Sequence, residues 1–425
     1  MDPPYTAFET DLASSLGWPL WALRSLGVLF SSICILFLAE FFISRGEGRS
    51  RGVGCVREGG QRSKSTSTPF MWFQIQYLSV YLVIMLADWL QGTNMYTLYA
   101  SYKVDIGSLF ITGFLSSAVF GTFIGIYVDR WGRRFGCILF CILEIVINIL
   151  EHIPSMPLLL LGRVLGGIST SLLFSTFESW MVSEHRKRNF PEEWLSHTFG
   201  IASWGNGIAA ICAGFVAQTS ADLSGDIGPF QVAIILTIIT LIFILFWPEN
   251  YGQTHESLSN ISSDISTSMR VIIRSPAMLC LGLSQAFFEG AVYTFVFMWV
   301  PTLLTIKTPT GGLPTGLVFS CFMLAMTMGG KLSSLLLEFY FPGGAEGLCV
   351  LVYVVAAGSM LVPVYFFEFW PVFGAFLVLE GALGIFNSCG GTMRSRLYPE
   401  SMQSSIMSVF RLPLNILVVC GTNLR

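Results

Sequence analysis

The sequence predicts an all-α polytopic membrane protein, and three observations lead there. Apolar types make up 53% of the 425 residues, charged types only 12%, and the mean hydropathy is +0.67. A soluble domain carries about twice that share of charge. At about 20 apolar residues per crossing, the composition supplies roughly eleven or twelve crossings. The net charge of −3 argues against a nucleic-acid partner, since neutralising phosphates needs a basic surface.

Apolar runs fall at 18–43, 70–97, 106–128, 134–152, 157–181, 195–218, 229–247, 276–304, 315–337, 346–367, 371–392 and 403–420. Two connections are long: 44–69, rich in Arg, Gly and Ser, and 249–274, rich in Ser, Thr and Asn. Both read as linkers. Alternate loops hold Arg45, Arg49, Arg51, Arg57, Arg62 and Lys64, then Arg130, Arg133 and Arg134, then Arg186, Lys187 and Arg188, then Arg270 and Arg274, then Arg394 and Arg396. The opposite set holds only Lys103 and Lys307. Basic loops stay in the cytosol, so residues 1–17 are expected outside the cell. The first run lacks a basic leading segment and is too long for a cleaved signal, so it is expected to be retained.

Of the ten cysteines, nine lie in apolar runs and Cys55 in a polar stretch. Neither a disulfide framework nor zinc spacing is visible, and the four histidines are scattered. No metal, cofactor or catalytic group is expected, and no nucleophile–base pair points to an enzyme.

An ionisable group at mid-helix costs about 2.5–3.5 kcal/mol on insertion scales, which makes each one a functional candidate facing the bundle interior. Asp88, Glu144, Arg163, Glu178, Glu289, Glu380 and Arg411 qualify, with Lys331 nearer a helix end. For each arginine the competing reading is a pairing with a carboxylate that only holds helices together. Two fragments echo between the halves of the chain. Asp88 precedes Tyr96-Thr97 as Gln285 precedes Tyr293-Thr294, and Arg163 precedes Gly167-Ile168 as Glu380 precedes Gly384-Ile385.

Gly121 to Arg134, which contains Gly125, Asp129, Arg130, Gly132, Arg133 and Arg134, resembles the signature loop between core helices two and three of the major facilitator superfamily. The resemblance implies two pseudo-symmetric six-helix halves and a cytosolic charge latch at Asp129, Arg130, Arg133 and Arg134. Anchored on this loop, 18–43 becomes an extra helix ahead of the fold and 70–248 the first six-helix bundle. Residues 249–274 then join the halves. Residues 275–425 form a second bundle that ends after core helix eleven, so core helix twelve is expected to be missing.

A closer resemblance is to the molybdate-anion transporters. It rests on Ala87-Asp88-Trp89-Leu90-Gln91-Gly92, the long segment Gly162 to Trp180, Gln285-Ala286-Phe287-Phe288-Glu289-Gly290, Phe295 to Pro301, Tyr398-Pro399-Glu400 and Phe410-Arg411-Leu412-Pro413. It implies uptake of a tetrahedral oxyanion at the cell membrane. Arginine forks and hydroxyls suit such an anion. Arg163, Arg411, Gln91, Gln285, Ser171 and Ser175 are therefore the expected substrate contacts, and Asp88, Glu289 and Glu380 the expected proton carriers. Glu144, on core helix three, is set aside as lying off the central cavity. Two other readings fit the same residues: transport of another solute, such as a sugar or a different anion, and a non-transporting membrane scaffold or receptor.

Overall fold

The computed structural model describes residues 4–50, 68–121, 124–251, 269–309, 312–338, 342–398 and 403–423. The described parts of the apolar runs are helix except at a few run ends, because hydrocarbon offers no water to satisfy backbone N–H and C=O groups and a helix pairs them internally. In chain order the helices are α1 (Pro4–Leu16), α2 (Leu20–Ser50), α3 (Thr68–Tyr102), α4 (Ile106–Gly121), α5 (Ile124–Trp131), α6 (Arg133–Leu150) and α7 (Met156–Lys187). They continue as α8 (Glu192–Ser224), α9 (Gly228–Ile244), α10 (Pro276–Thr305), α11 (Thr315–Glu338), α12 (Gly344–Tyr365), α13 (Phe369–Leu397) and α14 (Gln403–Asn423). Among the described residues, eight helical stretches are long and apolar enough to cross a bilayer, one of them the continuous Glu192–Ile244 that holds α8 and α9.

The run at 106–128 becomes two helices, α4 and α5. Helix α2 extends to Ser50, into the stretch read as a basic linker. Residues 51–67 of that linker and 252–268 of the second lie outside the described residues.

The chain divides into two compact units, Met1–Leu78 with Ile306–Gly390 and Ser79–Thr305 with Gly391–Arg425. This division does not follow the boundaries read at 248 and 275. In the first unit α2 packs along α11, with Ala22, Leu26, Leu29 and Ile33 buried at helical spacing. Trp21 sits edge-on to Phe369, Trp370 and Phe373 of α13 at 4.8, 6.0 and 5.8 Å between ring centroids. Gly384 of α13 leaves no room for a side chain against the Met326 carbonyl, so α11 and α13 touch backbone to backbone.

In the second unit α4 lies against α7 and α14, α6 against α7 and α9, and α10 against α14. Phe110 of α4 meets Phe297 of α10 at 4.8 Å. Gly167 of α7 sits on Ser116 and Ser117 of α4 with no space for a methyl group, and the Ser116 hydroxyl donates to the Val164 carbonyl at 2.6 Å. The sequence echo thus has a structural counterpart: the glycine four residues after Arg163 and the one four residues after Glu380 each seat their helix directly on a neighbour's backbone.

Candidate substrate and coupling site

Two buried polar clusters occupy the contact of α3, α6 and α7. In the first, Glu144 of α6 accepts hydrogen bonds from Gln91 Nε2 of α3 at 2.8 Å and from Ser169 Oγ of α7 at 2.5 Å. Asn148 Nδ2 reaches the same carboxylate at 3.5 Å and the Glu144 carbonyl at 2.8 Å. The carboxylate, set aside in the sequence reading, is the hub of this cluster. Gln91, read as a substrate contact, is its donor. The spacing that achieves this is visible afterwards: Glu144 and Asn148 are one helical turn apart on one face of α6.

The second cluster surrounds Arg163. Its Nη2 donates to Glu151 Oε1 at 2.5 Å and its Nη1 points at Met95 Sδ at 3.1 Å. The guanidinium carbon lies 5.7 Å from the centre of the Tyr99 ring, within the range of a cation–π contact. Tyr99 Oη also donates to Glu151 Oε1, at 2.8 Å, and Tyr102 Oη donates to the Glu151 carbonyl, at 2.8 Å. The Glu151 side chain is 1% exposed and that of Arg163 13%. Sequence reasoning passed over Glu151, which is the second-last residue of the run at 134–152 and so does not stand at mid-helix. Its signal is a carboxylate and an arginine twelve residues apart on either side of a short helix-to-helix turn.

Ser171 and Ser175 donate to the carbonyls of Gly167 and Ser171, at 2.8 and 2.7 Å, which commits their protons to their own helix. Gln285 of α10 is buried, and its Nε2 finds no partner among the described residues. Asp88 and Glu289 are half-buried, on α3 and α10. Glu380 belongs to the other unit, is 4% exposed, and its Oε2 finds no partner among the described residues. The side chain of Arg411 lies outside the described residues.

The loop read as a latch is bound at the α6 end. Glu249 accepts from the backbone N–H groups of Arg134 and Phe135 at 2.8 and 3.1 Å, closing two of the free donors that begin a helix. Arg134 Nη2 donates to the Leu245 carbonyl at 2.6 Å, and the Arg133 N–H donates to the Asn250 carbonyl at 3.0 Å. Asn250 Nδ2 reaches the Trp180 carbonyl at 3.2 Å, and Trp180 Nε1 donates to the Pro248 carbonyl at 2.9 Å. Trp180 and Trp247 stack at 3.8 Å. Glu249 and Asn250, read as the start of a linker, are thus part of the packed protein. Arg130 is exposed, and the Asp129 side chain lies outside the described residues.

The long apolar helices of this chain take the major facilitator fold, which solved structures share. The nucleoside transporter NupG superposes with a TM-score of 0.63 at 12% identity, covering 82% of this chain and 89% of that one. The D-xylose-proton symporter superposes with a TM-score of 0.60 at 13% identity, covering 84% and 89%. Residues 51–387 match the family MFS_5, described as sugar transporters with 12 TM. The chain therefore belongs to the MFS_5 family, a family of transporters and not of enzymes. It is also 35% identical over 389 residues to the molybdate-anion transporter of Xenopus tropicalis, covering 86% of this chain and 82% of that protein. It is 33% identical over 396 residues to the molybdate-anion transporter of Takifugu rubripes, covering 85% and 81%.

Proposed function

We propose that the chain takes up molybdate, a tetrahedral oxyanion, across the cell membrane by alternating access, with protons as the coupling ion. The observation that carries this reading is the 35% identity to molybdate-anion transporters over most of both chains. Residue chemistry supports it. Molybdenum arrives wrapped in oxygen, so the protein must offer hydrogen-bond donors and positive charge instead of metal ligands. Arg163 offers a guanidinium at a buried site, and Gln285 offers an amide N–H without a partner among the described residues. Ser171, Ser175 and Gln91 are weaker candidates than the sequence suggested, because each donates elsewhere. Arg411 remains an expected contact.

Energetics support coupling. Carrying two negative charges inward against an inside-negative potential of 100 mV costs about 4.6 kcal/mol, at about 2.3 per charge. Accumulation therefore needs cations, and the carboxyl groups of Asp88, Glu289 and Glu380 lie on membrane helices where protons can be carried. In the same reading α2 is a helix ahead of the core, and α1 lies outside the cell, opposite the basic loops.

The test is uptake of labelled molybdate into vesicles holding the purified chain, with sulfate and glucose as competitors. Molybdate should accumulate, sulfate should compete at higher concentration, and glucose should have no effect. The description of MFS_5 as sugar transporters favours a second reading, uptake of a sugar. Competition by glucose together with no molybdate accumulation would establish that instead.

A further inference from the structure

Arg163 is the cation offered to an entering anion, yet its charge already has a partner. Glu151 takes one guanidinium nitrogen on Oε1. Its second oxygen, Oε2, and Arg163 Nε are both buried and find no partner among the described residues. Among the described residues, each partner of this ion pair therefore keeps an unused, buried hydrogen-bonding position. A buried pair with spare positions is poorly optimised as a purely structural bridge, whose desolvation is offset only when the remaining positions are filled.

The placement of Glu151 matters as much as its contact. It caps the C-terminal end of α6, where the last helical carbonyls carry partial negative charge and disfavour a carboxylate. The charged and titratable groups around it are Arg163 of α7, Tyr99 and Tyr102 of α3, and His152 and Glu144 on its own helix side, with Asp226 acting on Tyr102 from the turn before α9. Arg163 is the cation in this set. An oxyanion that draws Arg163 away leaves Glu151 buried, next to a helix C-terminus, with an uncompensated negative charge. The interior tolerates that poorly, and a proton on Oε2 removes it.

We propose that Glu151 is the internal counter-ion that an entering oxyanion displaces from Arg163, and that it takes up a proton as it is displaced, so that anion and proton enter together. This rests on the reading of the chain as an anion transporter. Glu151 acts through Arg163 and is a positioning and coupling residue. Tyr99, which donates to the same oxygen, steadies the resting pair and makes the anion compete harder. On the return step the anion leaves to the cytosol, the proton follows it into water, and Glu151 takes back Arg163.

The experiment uses the full chain in proteoliposomes with labelled molybdate and an imposed gradient of one pH unit, acid outside. Each coupled proton should raise accumulation about tenfold. In E151Q, molybdate should still equilibrate down its own gradient while this contribution of the pH gradient disappears. Y99F should keep the pH response and reach half-maximal uptake at lower molybdate. Wild-type protein supplies a second readout: a hydrophobic carbodiimide reacts with protonated carboxyl groups, and labelling of Glu151, located by mass spectrometry, should rise when molybdate is added. An E151Q chain with the full response to the pH gradient would overturn the assignment. So would labelling of Glu151 that stays constant or falls with molybdate, a result that holds even where E151Q does not fold. A wild-type chain that moves no molybdate would instead sink the transport reading itself.

Discussion

Glu249 occupies the space that a side chain at Gly132 would need: a methyl group built there would lie 2.5 Å from Glu249 Cδ. Gly132 is also held at φ +112°, which L side chains rarely adopt. The glycine of the signature loop thus lets a carboxylate from beyond α9 cap the start of α6. Gly132→Ala should push that carboxylate off the Arg134 and Phe135 N–H groups, and Glu249→Ala should remove it. Each loses a helix cap, about 1–2 kcal/mol, and the alanine at 132 adds backbone strain. Thermal unfolding in detergent should show Gly132→Ala as the more damaging. Trypsin should cut at Arg133 and Arg134 faster in both variants than in the parent.

Neighbouring glycines in α7 should behave in opposite ways. A methyl group at Gly167 would overlap Ser116 of α4, whereas one at Gly166 would meet nothing within 4 Å. Gly167→Ala should cost about 1–3 kcal/mol or more through overpacking, and Gly166→Ala should leave the unfolding temperature unchanged or raised, since alanine is the better helix former. The same contrast is expected in the other unit between Gly384, closed off by the Met326 carbonyl, and Gly374, which has open space around it. Melting temperatures of the four alanine variants check both pairs.

The Glu144 carboxylate serves two donors from two other helices, Gln91 and Ser169. Its removal by Glu144→Ala leaves both without their acceptor in a buried place, at about 1–3 kcal/mol for each orphaned group. Ser169→Ala removes one donor and leaves the carboxylate still served by Gln91, so it should cost distinctly less. Glu144→Gln should fall between, because an amide keeps one acceptor oxygen and turns an NH2 toward the other donor. The order Ala, Gln, then Ser169→Ala in decreasing damage is the expected result of thermal unfolding. Equal melting temperatures for all three would contradict the network.

Hydropathy locates helices but says nothing about which side chains meet. The membrane runs were therefore legible, whereas Gly167 stood out only as part of an echo and its close packing came from the structure. The partners were not legible. Glu151 lies at the end of the run at 134–152, away from mid-helix, and its pairing with Arg163 depends on the turn between α6 and α7 folding them together. Glu144 was legible as a buried charge. Its role was not, because the donors come from α3 and α7, whose orientation about their own axes the sequence does not encode in any simple period. Glu249 followed the same logic: polar neighbours made it look like a linker, while Trp180 stacked on Trp247 pulls that segment against the protein.

Lys331 of α11 and Glu40 of α2 form a further pair, with Nζ 3.0 Å from Oε2 and side chains 29% and 37% exposed. Lys331 also lies 4.5 Å from the centre of the Phe37 ring. Together with the aromatic contacts of Trp21 near the other end of α2, this anchors the leading helix at two points along its length. The partial exposure places the pair between a surface bridge, about 0–1 kcal/mol, and a fully buried one, whose disruption costs about 3–5. Glu40→Lys should therefore destabilise the protein by about 1–2 kcal/mol by facing two ammonium groups, and Lys331→Glu similarly by facing two carboxylates. The double exchange restores opposite charges and should recover most of the loss, which additive effects at independent sites would not do. Unfolding temperatures of the four proteins in the cycle measure this. Recovery in the double variant would mean that α2 is held to α11 by charge as well as by shape, while two additive losses would mean that Trp21 and the buried stripe of α2 suffice.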